Sequence, residues 1–197
     1  MKLNQAKQIA SGIKALLEPH CQLIEIAGSI RRECALVNDI EIVCVPNAVK
    51  QSDLFDSSKI WIRSSDFSKA VRDLGAIIKG SPETGKYCRV VVCGLIEMDL
   101  FMTTIEDYYR ILAIRTGPAD YSHKVLASGW TERGWCGSDM GLRRQKDCMI
   151  VHSESPGGKD RWKCINVHGD LPPVWQSEEE FFKWVGALYT HPSKRRV

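Results

Sequence analysis

The stretch Gly28-Ser29-Ile30-Arg31-Arg32, followed after a short gap by Asp39-Ile40-Glu41-Ile42-Val43, decides how this chain is read. It has the pattern of a turn, a basic pair and then a strand carrying two carboxylates. Asp39 and Glu41 stand two apart, so a strand aims both at one face. Ile40, Ile42 and Val43 suit the buried side of a sheet. Two carboxylates so placed repel each other unless a cation sits between them. Gly28 and Ser29 offer backbone N–H groups and a hydroxyl to an anion, with Arg32 beside them. An anion cradle ahead of a dicarboxylate suits a metal-bound nucleoside triphosphate.

Working outward, residues 4–17 carry Ala6, Ile9, Ala10, Ile13, Leu16 and Leu17 at helical spacing. Asn4 is the expected N-cap, and Pro19 lies past the end. Residues 22–27 alternate and predict a strand that delivers the chain to Gly28, and residues 38–45 predict the next strand. Residues 49–55 and 67–74 predict short helices, the second capped by Asp66 and stopped by Gly75. A short strand over 76–79 and a loop over 80–85 follow. Residues 87–93 and 95–101 then predict two strands turned at Gly94. The second carries Glu97 and Asp99, again two apart on one face. With that strand beside 38–45, Asp99 joins Asp39 and Glu41. Such a cluster costs several kcal/mol uncompensated, and a bound cation resolves it.

Residues 105–115 predict an amphipathic helix ending at Thr116-Gly117-Pro118, where we place a domain boundary. A helix over 119–128, short strand-like pieces within 134–165 with a turn at Gly157-Gly158, and a helix opening at Ser177-Glu178-Glu179-Glu180 complete the reading.

The chain has 197 residues, 44% apolar and 26% charged, which is globular composition rather than disorder. A net charge of +3 neither requires nor excludes nucleic acid. The eight cysteines include no CxxC pair, and several lie in apolar runs. This favours reduced, buried thiols in a reducing compartment, cytoplasm or nucleoid. The N-terminus has no signal-peptide core. No apolar run approaches the roughly 20 residues needed to span a bilayer.

Gly-Ser, then Asp-x-Glu on a strand, then a later Asp resembles the nucleotidyltransferase superfamily. Within it, Ala27-Gly28-Ser29-Ile30-Arg31-Arg32 with Asp39-Ile40-Glu41 is similar to the palm motif of family X DNA polymerases, the polymerase beta group. Lys86-Tyr87 and Met98-Asp99-Leu100 fit that family's later palm. Tyr108-Tyr109 and Thr116-Gly117 resemble its hinge. Glu178-Glu179-Glu180-Phe181-Phe182, Trp184, Gly186, Tyr189, Pro192 and Arg195 resemble its thumb ending. The likeness runs from about residue 5 onward.

The resemblance implies an α+β fold. A nucleotidyltransferase palm of mixed sheet and helices would occupy 1–117, and a small α/β thumb 118–197. The lyase and fingers domains of fuller members would be missing. It implies a DNA-directed DNA polymerase, filling short gaps in repair, that adds dNTPs to a primer 3′-hydroxyl by two-metal chemistry. Asp39, Glu41 and Asp99 would be catalytic and hold two Mg²⁺, with Mn²⁺ able to substitute. Gly28, Ser29, Arg32, Gly117, Tyr121 and Ser122 would bind the nucleotide. Lys86, Lys124, Arg143 and Arg144 would meet DNA phosphates. The partners would be primer/template or gapped DNA and a dNTP, with no membrane, and the protein a monomer.

Three departures stand out. Glu41 replaces the usual Asp, Glu97 stands where an Arg is common, and Ile114-Arg115 stands where an aromatic pair senses the sugar. The first and third keep open a nucleotidyltransferase that needs no template or acts on another acceptor. A degenerate binding module is the non-enzymatic alternative. Of the remaining residues, Arg31 reads as a structural partner, Glu97 as an ion-pair partner, Phe181, Phe182 and Trp184 as core, and Lys194-Arg195-Arg196 as a solvated tail. Cys136, Cys148, His152, Cys164 and His168 match no common zinc finger and read as thiols in a core.

Overall fold

A computed structural model describes residues 1–52, 59–155 and 157–195 of the chain. It is an α+β protein that divides into two compact units, one of Met1–Pro118 together with 190–195, the other of Ala119–Tyr189.

The first unit is built on a five-stranded mixed sheet in the order β1-β2-β7-β6-β5. Its strands are β1 (Cys21–Ile26), β2 (Ile40–Pro46), β5 (Gly75–Gly80), β6 (Tyr87–Val92) and β7 (Ile96–Met102). β2 runs parallel to β7, and the other pairs are antiparallel. Alternation along the strands divides the side chains between two faces. Ile40, Ile42, Cys44, Met98, Leu100 and Met102 face one core, packed against α1 (Leu3–Leu17) and α3 (Ser65–Leu74). α1 contributes Ala6, Ala10, Ile13 and Leu17, spaced by three or four residues so that they share one stripe. Val43, Val45 and Phe101 point the other way, onto Tyr108 and Leu112 of α4 (Tyr108–Thr116). Glu41 and Asp99 belong to this second set by parity.

The N-terminus sets the loop that leads into β2. The Met1 ammonium donates to Val37 O at 2.7 Å, and Leu3 N donates to Ala35 O at 3.2 Å. Asp39 is therefore the last loop residue before β2 rather than a strand residue. Lys2, not Asn4, occupies the cap position of α1, because the Lys2 segment bridges Leu36 and the helix opens directly behind it.

The helix expected over 49–55 is absent where it is described. Residues Ala48–Ser52 form β3, paired antiparallel with β4 (Lys59–Arg63), and 53–55 lie outside the described residues. Pairing with β4 overrides a short helical spacing there. α3 is capped by Ser64, whose hydroxyl accepts from Asp66 N at 3.2 Å, which leaves Asp66 in the first turn. Arg195 is not a solvated tail residue. It is 2% exposed and donates from Nε to Thr190 O at 2.9 Å and from Nη1 to Ala113 O. Arg196 lies outside the described residues.

The second unit begins with a continuous helical run longer than expected, α5 (Ala119–Tyr121), a π-helical stretch Ser122–Ala127 and α6 (Ser128–Glu132). A four-stranded sheet follows in the order β10-β11-β8-β9, from β8 (Trp135–Ser138), β9 (Gly141–Arg144), β10 (Cys148–Val151) and β11 (Arg161–Cys164). The last helix, α7 (Glu178–Val185), buries Phe181 and Phe182 in an aromatic core with Trp130, Trp175 and Tyr121. Gly129 lets α6 approach the Val185 backbone, where a Cβ would collide with the carbonyl.

Ser177 caps α7 by accepting from Glu180 N at 3.2 Å, and three acids in the first turn oppose the helix dipole. Ser177→Ala is expected to cost about 1 kcal/mol, read as a lower urea midpoint. Cys136, Cys148 and Cys164 pack together with Trp162 as buried free thiols, Cys148 directly opposite Cys164. His152 pairs instead with Asp160 at 2.9 Å, and His168 is exposed.

Candidate functional site

β2 and β7 lie side by side, and their register sets Glu41 directly across from Asp99. Both carboxyls therefore leave the sheet on the α4 face, one strand spacing apart. Asp39 enters the same field from the loop ahead of β2. The electrostatics of Glu41 record this convergence. Its carboxyl is pushed up to about 7, first by burial, then by the nearby Asp39 charge and, more weakly, by Asp99. Arg32 and Arg115 oppose the shift without cancelling it.

Gly28 opens α2 (Gly28–Arg31) with φ +61°, and its backbone lies against the Glu41 carboxyl. A Cβ there would run into Glu41 Oε2, and the positive φ strains any residue with a side chain. This position requires glycine on both counts. Gly28→Ala is expected to destabilise the protein by about 1–2 kcal/mol from the backbone alone. It is also expected to displace Glu41, measured as a drop of the raised acid toward 4.5 by carboxyl NMR titration.

Ala27 N donates to Glu41 O at 2.7 Å, joining the turn before α2 to β2. Ser29 is half-buried in this turn. Arg31 donates from Nη1 to Thr116 Oγ1 at 2.8 Å, and Arg32 donates from Nη1 to Thr116 O. The basic pair thus ties α2 to the end of α4. The structural role expected for Arg31 is seen. Arg32 combines the same anchoring with a place in the field of Glu41. Gly117 follows Thr116 with φ +58° and closes α4. The first unit thereby gathers Gly28, Ser29, Arg32, Asp39, Glu41, Asp99 and Gly117. Lys86 precedes β6 and is exposed.

Tyr121, Ser122, Lys124, Arg143 and Arg144 belong to the second unit. Tyr121 and Ser122 are buried, the Tyr121 ring packing on Phe182. Lys124 is exposed. Arg143 and Arg144 sit on β9. Arg143 donates to Leu142 O at 3.1 Å, while Arg144 donates to Arg133 O at 3.1 Å and lies over the Trp135 ring.

Arg89 escaped sequence reasoning, and Arg115 was read there only as a departure at the sugar-sensing position. Arg115 lies over the Phe101 ring at 4.0 Å and within electrostatic reach of Glu41 and Asp99. Arg89 on β6 faces Asp99 in the antiparallel register. It grips Asp99 with both prongs, Nε to Oδ1 at 2.6 Å and Nη2 to Oδ2 at 2.8 Å. Its remaining nitrogen, Nη1, donates to Glu97 Oε2 at 2.8 Å. The ion-pair role expected for Glu97 is therefore seen, with Arg89 as the partner. The signal was available, since a tight turn at Gly94 sets residue 89 opposite 99.

Asp39, Glu41 and Asp99 supply carboxylate oxygens, the donor type that hard divalent cations take. Among the described residues no group of three or more His, Cys, Asp or Glu side chains is placed to hold a metal ion. No protein-family model matches the chain, and no curated protein is significantly similar to it. Among the described residues no helix is long and apolar enough to cross a membrane.

Proposed function

We propose that the chain is a nucleotidyltransferase of the family X DNA polymerase type, extending a primer 3′-hydroxyl with a dNTP under template direction. The observation that carries this reading is the pairing of Glu41 with Asp99 on parallel strands, with Asp39 and Gly28 against the same carboxyl.

In this reading Asp39, Glu41 and Asp99 would hold the divalent cations, with Asp99 serving the primer hydroxyl. Bound Mg²⁺ would supply a lowered hydroxyl pKa and charge neutralisation on the triphosphate. Ser29, the N–H groups of the turn at Gly28, and Arg32 orient the β- and γ-phosphates. A planar guanidinium suits two phosphate oxygens at once. To reach them, Arg32 keeps one nitrogen on Thr116 O and offers the rest of its fork. Gly117, Tyr121 and Ser122 are assigned to the nucleotide, and Lys86, Lys124, Arg143 and Arg144 to strand phosphates.

A second reading keeps the chemistry and changes the acceptor or drops the template. Arg115 favours it, because it stands where the resemblance expects a sugar-sensing aromatic and lies on the carboxylate face over Phe101. The test is a labelled primer, with and without template, offered each dNTP or NTP with Mg²⁺ or Mn²⁺. Templated dNTP addition supports the first reading and template-blind or NTP addition the second. No addition to any primer rejects the polymerase reading.

A further inference from the structure

We propose that Arg89 is a stand-in cation for Asp99, one that passes onto Glu97 when a divalent metal enters the carboxylate cluster. The inference rests on the metal-site reading above and adds a residue that the reading does not contain.

The satisfaction of the Asp99 oxygens points to it. Oδ1 accepts from Arg89 Nε at 2.6 Å and from the Tyr87 hydroxyl at 2.8 Å, which uses both lone pairs. Oδ2 accepts from Arg89 Nη2 at 2.8 Å. A carboxylate so occupied offers a metal one free lone pair, on the oxygen that already faces a guanidinium. An ion cannot be bound through Oδ1 until a donor leaves. Asp99 is 8% exposed, so its charge needs a partner at every stage.

Glu97 makes the exchange inexpensive. It stands two residues before Asp99 on β7, on the same face, and already accepts from Arg89 Nη1 at 2.8 Å. Its side chain is 49% exposed, so it can turn to take the full fork. A guanidinium that leaves Asp99 thus keeps a carboxylate partner throughout. The charges facing the pair are Glu41 on β2, Asp39 ahead of it, and Arg115 from α4. With Arg89 on Asp99 the cluster holds a monovalent cation, and with Arg89 on Glu97 it is open to a divalent one. Arg89 is in this sense a positioning residue. The competing account makes it a fixed brace that orients Asp99 toward the metal.

Mn²⁺ titration of the full chain, by calorimetry and by loss of the free-ion electron paramagnetic resonance signal, separates the two without any turnover measurement. Removing a competitor raises affinity, so Arg89→Gln is expected to bind Mn²⁺ roughly tenfold more tightly and to melt lower without metal. Glu97→Gln, on the exposed rim where folding is not at risk, is expected to bind several-fold more weakly, because Arg89 then has nowhere else to go. A brace predicts the reverse for Arg89→Gln, and equal or weaker binding there overturns the proposal. If Arg89→Gln does not fold, unchanged Mn²⁺ affinity in Glu97→Gln overturns it equally. Failure of the underlying site looks different: wild type takes up no Mn²⁺, or Asp39→Asn binds it as wild type does.

Discussion

Asp39→Ala and Asp99→Ala are each expected to lower nucleotidyl transfer by about 10³-fold or more while leaving the protein folded. Under the proposed function, the size follows from the step these carboxylates would serve. Charge develops on the attacking hydroxyl and on the leaving pyrophosphate, and ions held by this cluster would stabilise both. Binding of a primer or a dNTP draws on other contacts and should survive. Asp39 lies in the loop before β2 and carries no core packing, so its removal should not unfold the sheet. Asp99 is buried, but its principal partner Arg89 keeps Glu97 at 2.8 Å, and Tyr87 keeps its ring against Phe101. Steady-state turnover with Mg²⁺, beside circular dichroism and urea midpoints, checks both halves of the expectation. Activity retained in either variant removes the assignment.

Glu41→Gln is expected to stabilise the metal-free protein at pH 8 and to leave it unchanged near pH 4.5. The folded-state acid lies at about 7 against an ordinary value of 4.5, raised first by burial and then by Asp39. The folded form therefore binds the Glu41 proton more tightly than the unfolded form. Between these two values the unfolded state carries fewer protons, so stability falls as pH rises through the window. The contribution of protonated Glu41 is full below pH 4.5 and lost above pH 7. Its upper bound is about 3 kcal/mol at pH 8, from the separation of the two values. A neutral amide removes the ionisation, so the urea midpoint of Glu41→Gln should vary less between pH 4.5 and 8. Magnesium should raise the wild-type midpoint at pH 8 and leave that of Glu41→Gln nearly unmoved. A wild-type midpoint that is flat over this range would show that Glu41 is not strained by its neighbours.

Helices α1 and α7, strands β1, β6 and β7, and the turn at Gly94 were legible because their signals are local. α1 announces itself by apolar residues at helical spacing, and α7 by a serine cap ahead of three acids. The pairing of β3 with β4 was not legible, since β3 is made a strand by its partner β4 rather than by its own residues. The buried end of the chain shows the same limit. Arg195 reads as a tail residue until the carbonyls of Thr190 and Ala113 are brought to it.

What the residue order settled alone is the supply of groups. It gives a glycine turn with a basic pair, Asp39 and Glu41 two apart, and Asp99 on a later strand. Spacing of two places side chains on one face of a strand but is silent on which strand lies alongside. The parallel pairing of β2 with β7 decided that Glu41 and Asp99 are neighbours, and the antiparallel pairing of β6 with β7 set Arg89 on Asp99. The raised acid of Glu41 likewise belongs to no residue by itself. It arises from burial and from charges that backbone pairing between distant segments brings within reach.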